Sequence, residues 1–299
     1  MQLSQNELLL LSHQAISAAQ QAGQLISQYA KKDIIVRNKN TGENLASQVV
    51  TEVDLLSQSL ILDTLSPSCE HYDLALLSEE NTDDRRRLEK DYFWCIDPLD
   101  GTLPFIESTP GYAVSIALVS RLGIPMIGVI YDPTTQTLYH AIKNNGAFRN
   151  GKPISSMSET KKNRFTLISD RSLKQQPYYK ELLKEFKNIA KKLGLPKLHV
   201  IAHGGAAMNA CWVLENNPAC YFKFPKPQDG GGSLWDFSAS ACLFHEIGAI
   251  ACDIHGTALD LNRPDSTFMN HRGIIYTYNQ EIMEKIRAYF YKIQSDIGW

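Results

Sequence analysis

The chain has 299 residues, 43% of them hydrophobic, 21% charged and 9% aromatic, with a formal net charge of −2. A globular chain of this length buries roughly 75% of the surface its unfolded form exposes, so its core requires neither disulfides nor a structural metal. The near balance of charge argues against a nucleic-acid surface, which shows as a basic excess or stripe. It leaves small anionic substrates open, because a bound divalent cation reverses the local sign of a site.

Residues 6–31 read as a helix, with Leu9, Leu10, Ile16, Ala19, Ile26 and Tyr29 near helical spacing. The run Leu8–Leu11 within it has no basic lead and is too short to span a bilayer. A cytoplasmic protein without a membrane partner is therefore expected. A second helix is predicted from Thr51 to Leu65, with Asp54 near its first turn and Pro67 ending it. Short apolar runs follow at Leu74–Ser78 and Tyr92–Ile96. The β-rich pieces Ala113–Val119, Met126–Tyr131 and Thr137–Ala141, separated by Gly123-Ile124-Pro125 and Asp132-Pro133-Thr134, read as an antiparallel meander.

Beyond Gly151 strands and helices alternate. Strands are expected at Phe165–Ser169, Leu198–Ala202, Ala219–Phe222 and Ala249–Cys252, and helices at Tyr178–Leu193, Ala206–Leu214 and Trp235–Ile247. This alternation predicts a layered α/β architecture. Two halves are expected, residues 1–150 carrying the chemistry and 151–299 closing over it. Lys226–Gly232 reads as a flexible loop. The six cysteines (Cys69, Cys95, Cys211, Cys220, Cys242, Cys252) form no C-x-x-C pair and read as free thiols in a reducing compartment.

The chemistry has to come from carboxylates. The histidines are scattered, and neither a G-x-S-x-G elbow nor a G-x-x-x-x-G-K-[ST] loop is present. Three acidic features stand apart from solvated surface charge. Glu79-Glu80 closes the run Leu74–Ser78, Asp97 and Asp100 follow Phe93–Ile96, and Asp236 heads the apolar stretch Phe237–Leu243. Each alone has a plainer reading: Asp97-Pro98 can initiate a turn and Asp236 can cap a helix. Together they suit magnesium, which takes oxygen ligands in octahedral geometry and keeps waters for substrate to displace. The Leu99 carbonyl can face the same cation, Gly101 permits close approach of a phosphate, and Thr102 offers a hydroxyl beside it. A helix beginning near Thr102 would aim N–H groups at that phosphate.

These residues resemble the inositol monophosphatase superfamily of lithium-sensitive, magnesium-dependent phosphatases. The pattern there is an acidic pair, then D-P-[IL]-D-G-[TS], then W-D more distantly. Here these are Glu79-Glu80, Asp97–Thr102 and Trp235-Asp236. Gly128-Val129-Ile130-Tyr131, Gly146-Ala147-Phe148 with Asn150-Gly151, and Gly205–Asn209 are similar to further landmarks, so the likeness spans nearly the whole chain. It implies an α/β/α/β/α sandwich, a homodimer, and two or three Mg2+ per site. Glu79, Asp97 and the Leu99 carbonyl would hold one ion, and Asp97, Asp100 and Asp236 another. Glu79 would share in catalysis with Thr102, which, backed by Asp54, would orient the attacking water. Gly101, Thr102 and Asp236 would meet a small phosphorylated metabolite.

Two branches compete for the substrate. Pro110, Ala113–Ile116 and Gly205–Asn209 resemble inositol monophosphatases. Leu99, Phe105-Ile106 and Ile116-Ala117-Leu118 look more like the 3′(2′),5′-bisphosphate nucleotidases, which act on adenosine 3′,5′-bisphosphate, although Leu103-Pro104 departs from their usual Lys-Glu. Lys223 stands where inositol enzymes tend to carry glutamate. It either contacts a second anionic group on the substrate or is solvated on a loop. A catalytically inactive binding subunit is the alternative of a different class.

Overall fold

A computed structural model describes residues 2–30, 36–38, 49–155 and 163–295. Helix α1 (Gln5–Tyr29) starts at a reciprocal cap: Glu7 N–H donates to Ser4 Oγ, while Ser4 N–H donates to the Glu7 carboxylate at 2.7 Å. Its inner face, Leu8, Leu11, Ala15, Ala18, Ala22 and Ile26, is fully buried. Strands β1 (Val36–Asn38) and β2 (Val49–Thr51) pair antiparallel.

Helix α2 (Glu52–Tyr72) corrects the expectation that Pro67 ends it, because the helix continues through the proline. Pro67 and Asp63, whose carbonyl loses its N–H partner, both lie exposed, which leaves the freed acceptor open to solvent. Past the proline, buried Ser68 donates to the Leu65 carbonyl and accepts from Trp94 Nε1 at 2.9 Å, which fastens the last turn to the sheet.

Seven strands form the first sheet in chain order: β3 (Ala75–Ser78), β4 (Tyr92–Asp100), β5 (Ala113–Ser120), β6 (Pro125–Asp132), β7 (Thr137–Ile142), β8 (Ala147–Arg149) and β9 (Lys152–Pro153). From β4 onward the pairing is antiparallel, as the meander reading expects, whereas β3 runs parallel to β4. Side chains alternate across β4: Trp94 and Ile96 join the core beneath α1 and α2, and Phe93 and Cys95 join the opposite one.

The second sheet has the order β11 (Leu198–Ile201), β10 (Phe165–Ile168), β12 (Ala219–Lys223), β14 (Ile274–Thr277), β13 (Ile250–Cys252). Strand β10 is parallel to both neighbours and β14 antiparallel to both of its own. After the five-residue α3 (Thr102–Ile106) come α4 (Tyr179–Lys192), α5 (Ala206–Glu215), α6 (Leu234–Glu246) and α7 (Gln280–Ile293). Helices α5 and α6 fill the space between the sheets, and α4 and α7 cover the far face of the second, where Phe165, Phe186 and Phe222 stack. The layers are α/β/α/β/α. Residues 226–232 are tied at both ends to a neighbouring segment, through Lys226 N–H to the Asn270 carbonyl and Met269 N–H to the Gly232 carbonyl. All six cysteines are free, and no helix among the described residues is long and apolar enough to cross a membrane.

Replacing Ser68 by alanine leaves the buried Trp94 N–H without an acceptor. The expected cost is about 1–3 kcal/mol, read as a lower urea midpoint at unchanged slope.

Candidate active site

Asp97 and Asp100 lie three residues apart on β4, so in a regular strand their side chains would leave opposite faces. The register against β5 is regular up to Asp97–Ser115, then shifts before Asp100–Ala113. This irregularity over Pro98-Leu99 turns both carboxylates to the same side. Pro98, which has no N–H to give a ladder, is tolerated at such a break. Its carbonyl accepts from Ser57 Oγ at 2.8 Å, Leu99 N–H donates to Asp97 Oδ1 at 3.0 Å, and the Leu99 side chain is buried under α1 and α2.

The third carboxylate comes from α6. Asp236 is not the cap of that helix, as one sequence reading allows. Ser233 holds the cap position, and Asp236, three residues on, reaches back to accept from Ser233 N–H. Ser115 Oγ donates to the Trp235 carbonyl at 3.1 Å, tying the start of α6 to β5.

One oxygen from each of Asp97, Asp100 and Asp236 lies within 4.8 Å of the other two. Burial, then the charges of Glu79, Asp100 and Asp236, push the Asp97 carboxyl well above the usual range. Burial and Asp236 do the same to Asp100, against the pull of Ala207 and Ala206 N–H, which donate to its oxygens at 2.8 and 3.0 Å. Asp236 is pushed up to about 6, chiefly by burial, with the nearby Lys223 ammonium opposing the rise. Glu79, half-buried past the end of β3, lies near enough to Asp97 for its charge to raise the Asp97 carboxyl, but outside the compact trio.

Thr102 Oγ1 donates to Asp54 Oδ1 at 3.2 Å and lies 3.4 Å from the Leu99 carbonyl, with Asp54 buried. Gly101 caps α3 at φ +86°, where a Cβ would lie 2.7 Å from the Gly111 carbonyl oxygen. Lys223 is not solvated on a loop. It ends β12, its side chain is 16% exposed, and its ammonium lies 2.8 Å from Asp170 Oδ2. Gln58, absent from the sequence reading, accepts from Ser78 Oγ and, at 3.2 Å, from Glu80 N–H, which fixes the turn carrying Glu79. Glu80 itself stays outside the carboxylate group. The signal for Gln58 was faint: one polar residue on the inner face of α2, a turn after Asp54.

Closely spaced carboxylates that raise one another's proton affinity are a set of hard oxygen donors whose charge the single nearby Lys223 ammonium does not balance. Together with Glu79 and the Leu99 carbonyl they fit Mg2+. The model of the inositol monophosphatase family matches residues 9–295. The chain belongs to the inositol monophosphatase family. Nus factor SuhB of Escherichia coli is 29% identical over 81% of this chain and 84% of its own. Human inositol monophosphatase 2 is 29% identical over 83% and 81%. Among solved structures, SaIMPase-II bound to inositol monophosphate matches with a TM-score of 0.68 and 22% identity over 96% of each chain. The same protein bound to 2′AMP gives 0.69 and 23% over 94% of each. The family is one of phosphatases, generally magnesium-dependent, and this chain has an acidic cluster able to take a metal ion.

Asp97→Asn removes one repelling charge. The metal-free variant should melt above wild type, and Mg2+ should raise its melting temperature less. A carboxyl whose folded pKa exceeds its unfolded value of about 4 contributes stability below that value and loses it as pH rises through the folded pKa. The metal-free advantage of Asp97→Asn should therefore be larger at pH 8 than at pH 5, as scanning calorimetry in EDTA can check. An advantage that grows on acidification would contradict the mutual repulsion.

Proposed function

We propose that the chain is an Mg2+-dependent phosphomonoesterase of the inositol monophosphatase type, acting on a small phosphorylated metabolite. The observation that carries this is the convergence of Asp97, Asp100 and Asp236 beside the Thr102–Asp54 pair. In this reading Glu79, Asp97, the Leu99 carbonyl, Asp100 and Asp236 hold the metal. When bound, Mg2+ supplies Lewis-acid polarisation of phosphoryl oxygens and lowers the pKa of a water towards ~7.

The chain's own groups orient the reaction. With its proton committed to Asp54, Thr102 Oγ1 keeps lone pairs free to accept from the attacking water and aim its oxygen at phosphorus. Asp54 keeps the hydroxyl turned that way and offers a route for the proton. Gly101, with no side chain, lets the phosphate come close to the backbone. Thr102→Val, near-isosteric and lacking the hydroxyl, should lower kcat by about 10²–10⁴-fold, with Thr102→Ser recovering most of it. An unchanged kcat in Thr102→Val would remove Thr102 from the mechanism.

A second reading is the 3′(2′),5′-bisphosphate nucleotidase, favoured by the largely covered Lys223 ammonium near Asp236 and Asp100. SaIMPase-II, a relative bound in separate structures to inositol monophosphate and to 2′AMP, supports keeping both ester types in view. The name of the SuhB relatives, Nus factors, keeps a binding role in view too. The complete donor set argues for turnover. The test is Mg2+-dependent phosphate release from inositol 1-phosphate and from adenosine 3′,5′-bisphosphate at equal concentration. Preference for the nucleotide that falls in Lys223→Ala supports the second reading, preference for inositol phosphate the first, and no release from any phosphate ester defeats both.

A further inference from the structure

Lys223 is held by a residue outside the carboxylate cluster. Its ammonium pairs with Asp170 Oδ2 at 2.8 Å, and the other oxygen of Asp170 accepts from Tyr221 Oη at 2.9 Å and Asn209 Nδ2 at 3.3 Å. Those partners sit on β12 and α5, two elements of the packed interior, so Asp170 has little freedom. The ammonium also lies 5.3 Å from the centre of the ring of Phe237, the residue after Asp236. Its field reaches both Asp236 and Asp100.

We propose that Lys223, positioned by Asp170, is a resident counter-cation of the carboxylate cluster that sets its affinity for divalent ions. This rests on reading Asp97, Asp100 and Asp236 as the metal site. A cation fixed beside donors that must receive further cations weakens their binding, and an anion fixed behind it offsets part of that effect. Lys223 and Asp170 thus act on the same affinity with opposite signs. The metal-free cluster keeps one permanent positive neighbour, which limits repulsion between the carboxylates before Mg2+ arrives.

The opposite signs give the test. Mg2+ binding to the EDTA-stripped full chain is measured by titration calorimetry, without substrate. Lys223→Met should bind Mg2+ on the order of tenfold more tightly. Asp170→Asn, which keeps an acceptor for Tyr221, should bind it several-fold more weakly, and the double variant should return close to wild type. Melting temperatures in EDTA report whether each variant is folded. If Lys223→Met does not fold, the direction of Asp170→Asn decides alone. Loss of affinity in both single variants, or no change in either, would mean that the pair only holds structure and would overturn the proposal. Absence of Mg2+ binding by wild type would instead overturn the metal reading beneath it.

Discussion

Carboxylates held within 4.8 Å of one another in a protein interior repel, and each also loses hydration. Such an arrangement persists only where the surroundings supply compensating partners and deny the side chains room to separate. Here each carboxylate has a backbone donor assigned to it: Leu99 N–H for Asp97, Ala206 and Ala207 N–H for Asp100, Ser233 N–H for Asp236. Two of these partners are helix starts, where free N–H groups and the positive end of the helix favour negative charge. The donors hold the carboxylates without neutralising them, so a strong demand for cations remains.

The space for this is set by the absence of side chains. A Cβ on Gly205 would sit 2.5 Å from Asp100 Oδ2, and Gly205 N–H donates to the Gly111 carbonyl at 2.7 Å. The turn before α5 therefore presses its backbone against the aspartate, which lets two successive amides reach one carboxylate. Gly101 serves the same end at the start of α3, approaching the Gly111 carbonyl in a conformation that an L side chain rarely takes.

Much of this was legible in the sequence, because helices, strands and the D-P-L-D-G-T segment are local signals. Each predicted helix from Tyr178 to Ile247 is present with ends shifted by a residue or so, and so is the layered order. What escaped depended on contacts distant in sequence. The break in β4 that aligns Asp97 with Asp100 shows only in its pairing with β5. Pro67 looked like a stop because its exposure, which makes the lost hydrogen bond cheap, is a property of the packed helix. The solvated-loop alternative for Lys223 stays open in the sequence because its partner across the ladder is Ile274, on a strand whose signal is weak there. The C-terminal helix carries a local signal of its own, with Asn279 capping it and Ile282, Ile286 and Phe290 repeating at helical spacing.

The site also ties the two sheets to each other. Asp97 and Asp100 belong to the first sheet, whereas Ala206, Ala207 and Asp236 begin the helices that the second sheet packs against. The carboxylates come together only when α5 and α6 are seated between the sheets, since neither layer alone brings in all three. Packing of that central layer, through fully buried residues such as Ala210, Ala239 and Cys242, therefore fixes the spacing of the oxygens. Enlarging one of them shifts a helix start, and a helix start shifted by a fraction of an ångström changes the fit for an ion that demands near-ideal octahedral geometry. On the proposed reading, metal affinity is for this reason a more sensitive gauge of how the central layer packs than global stability, which averages over all three cores.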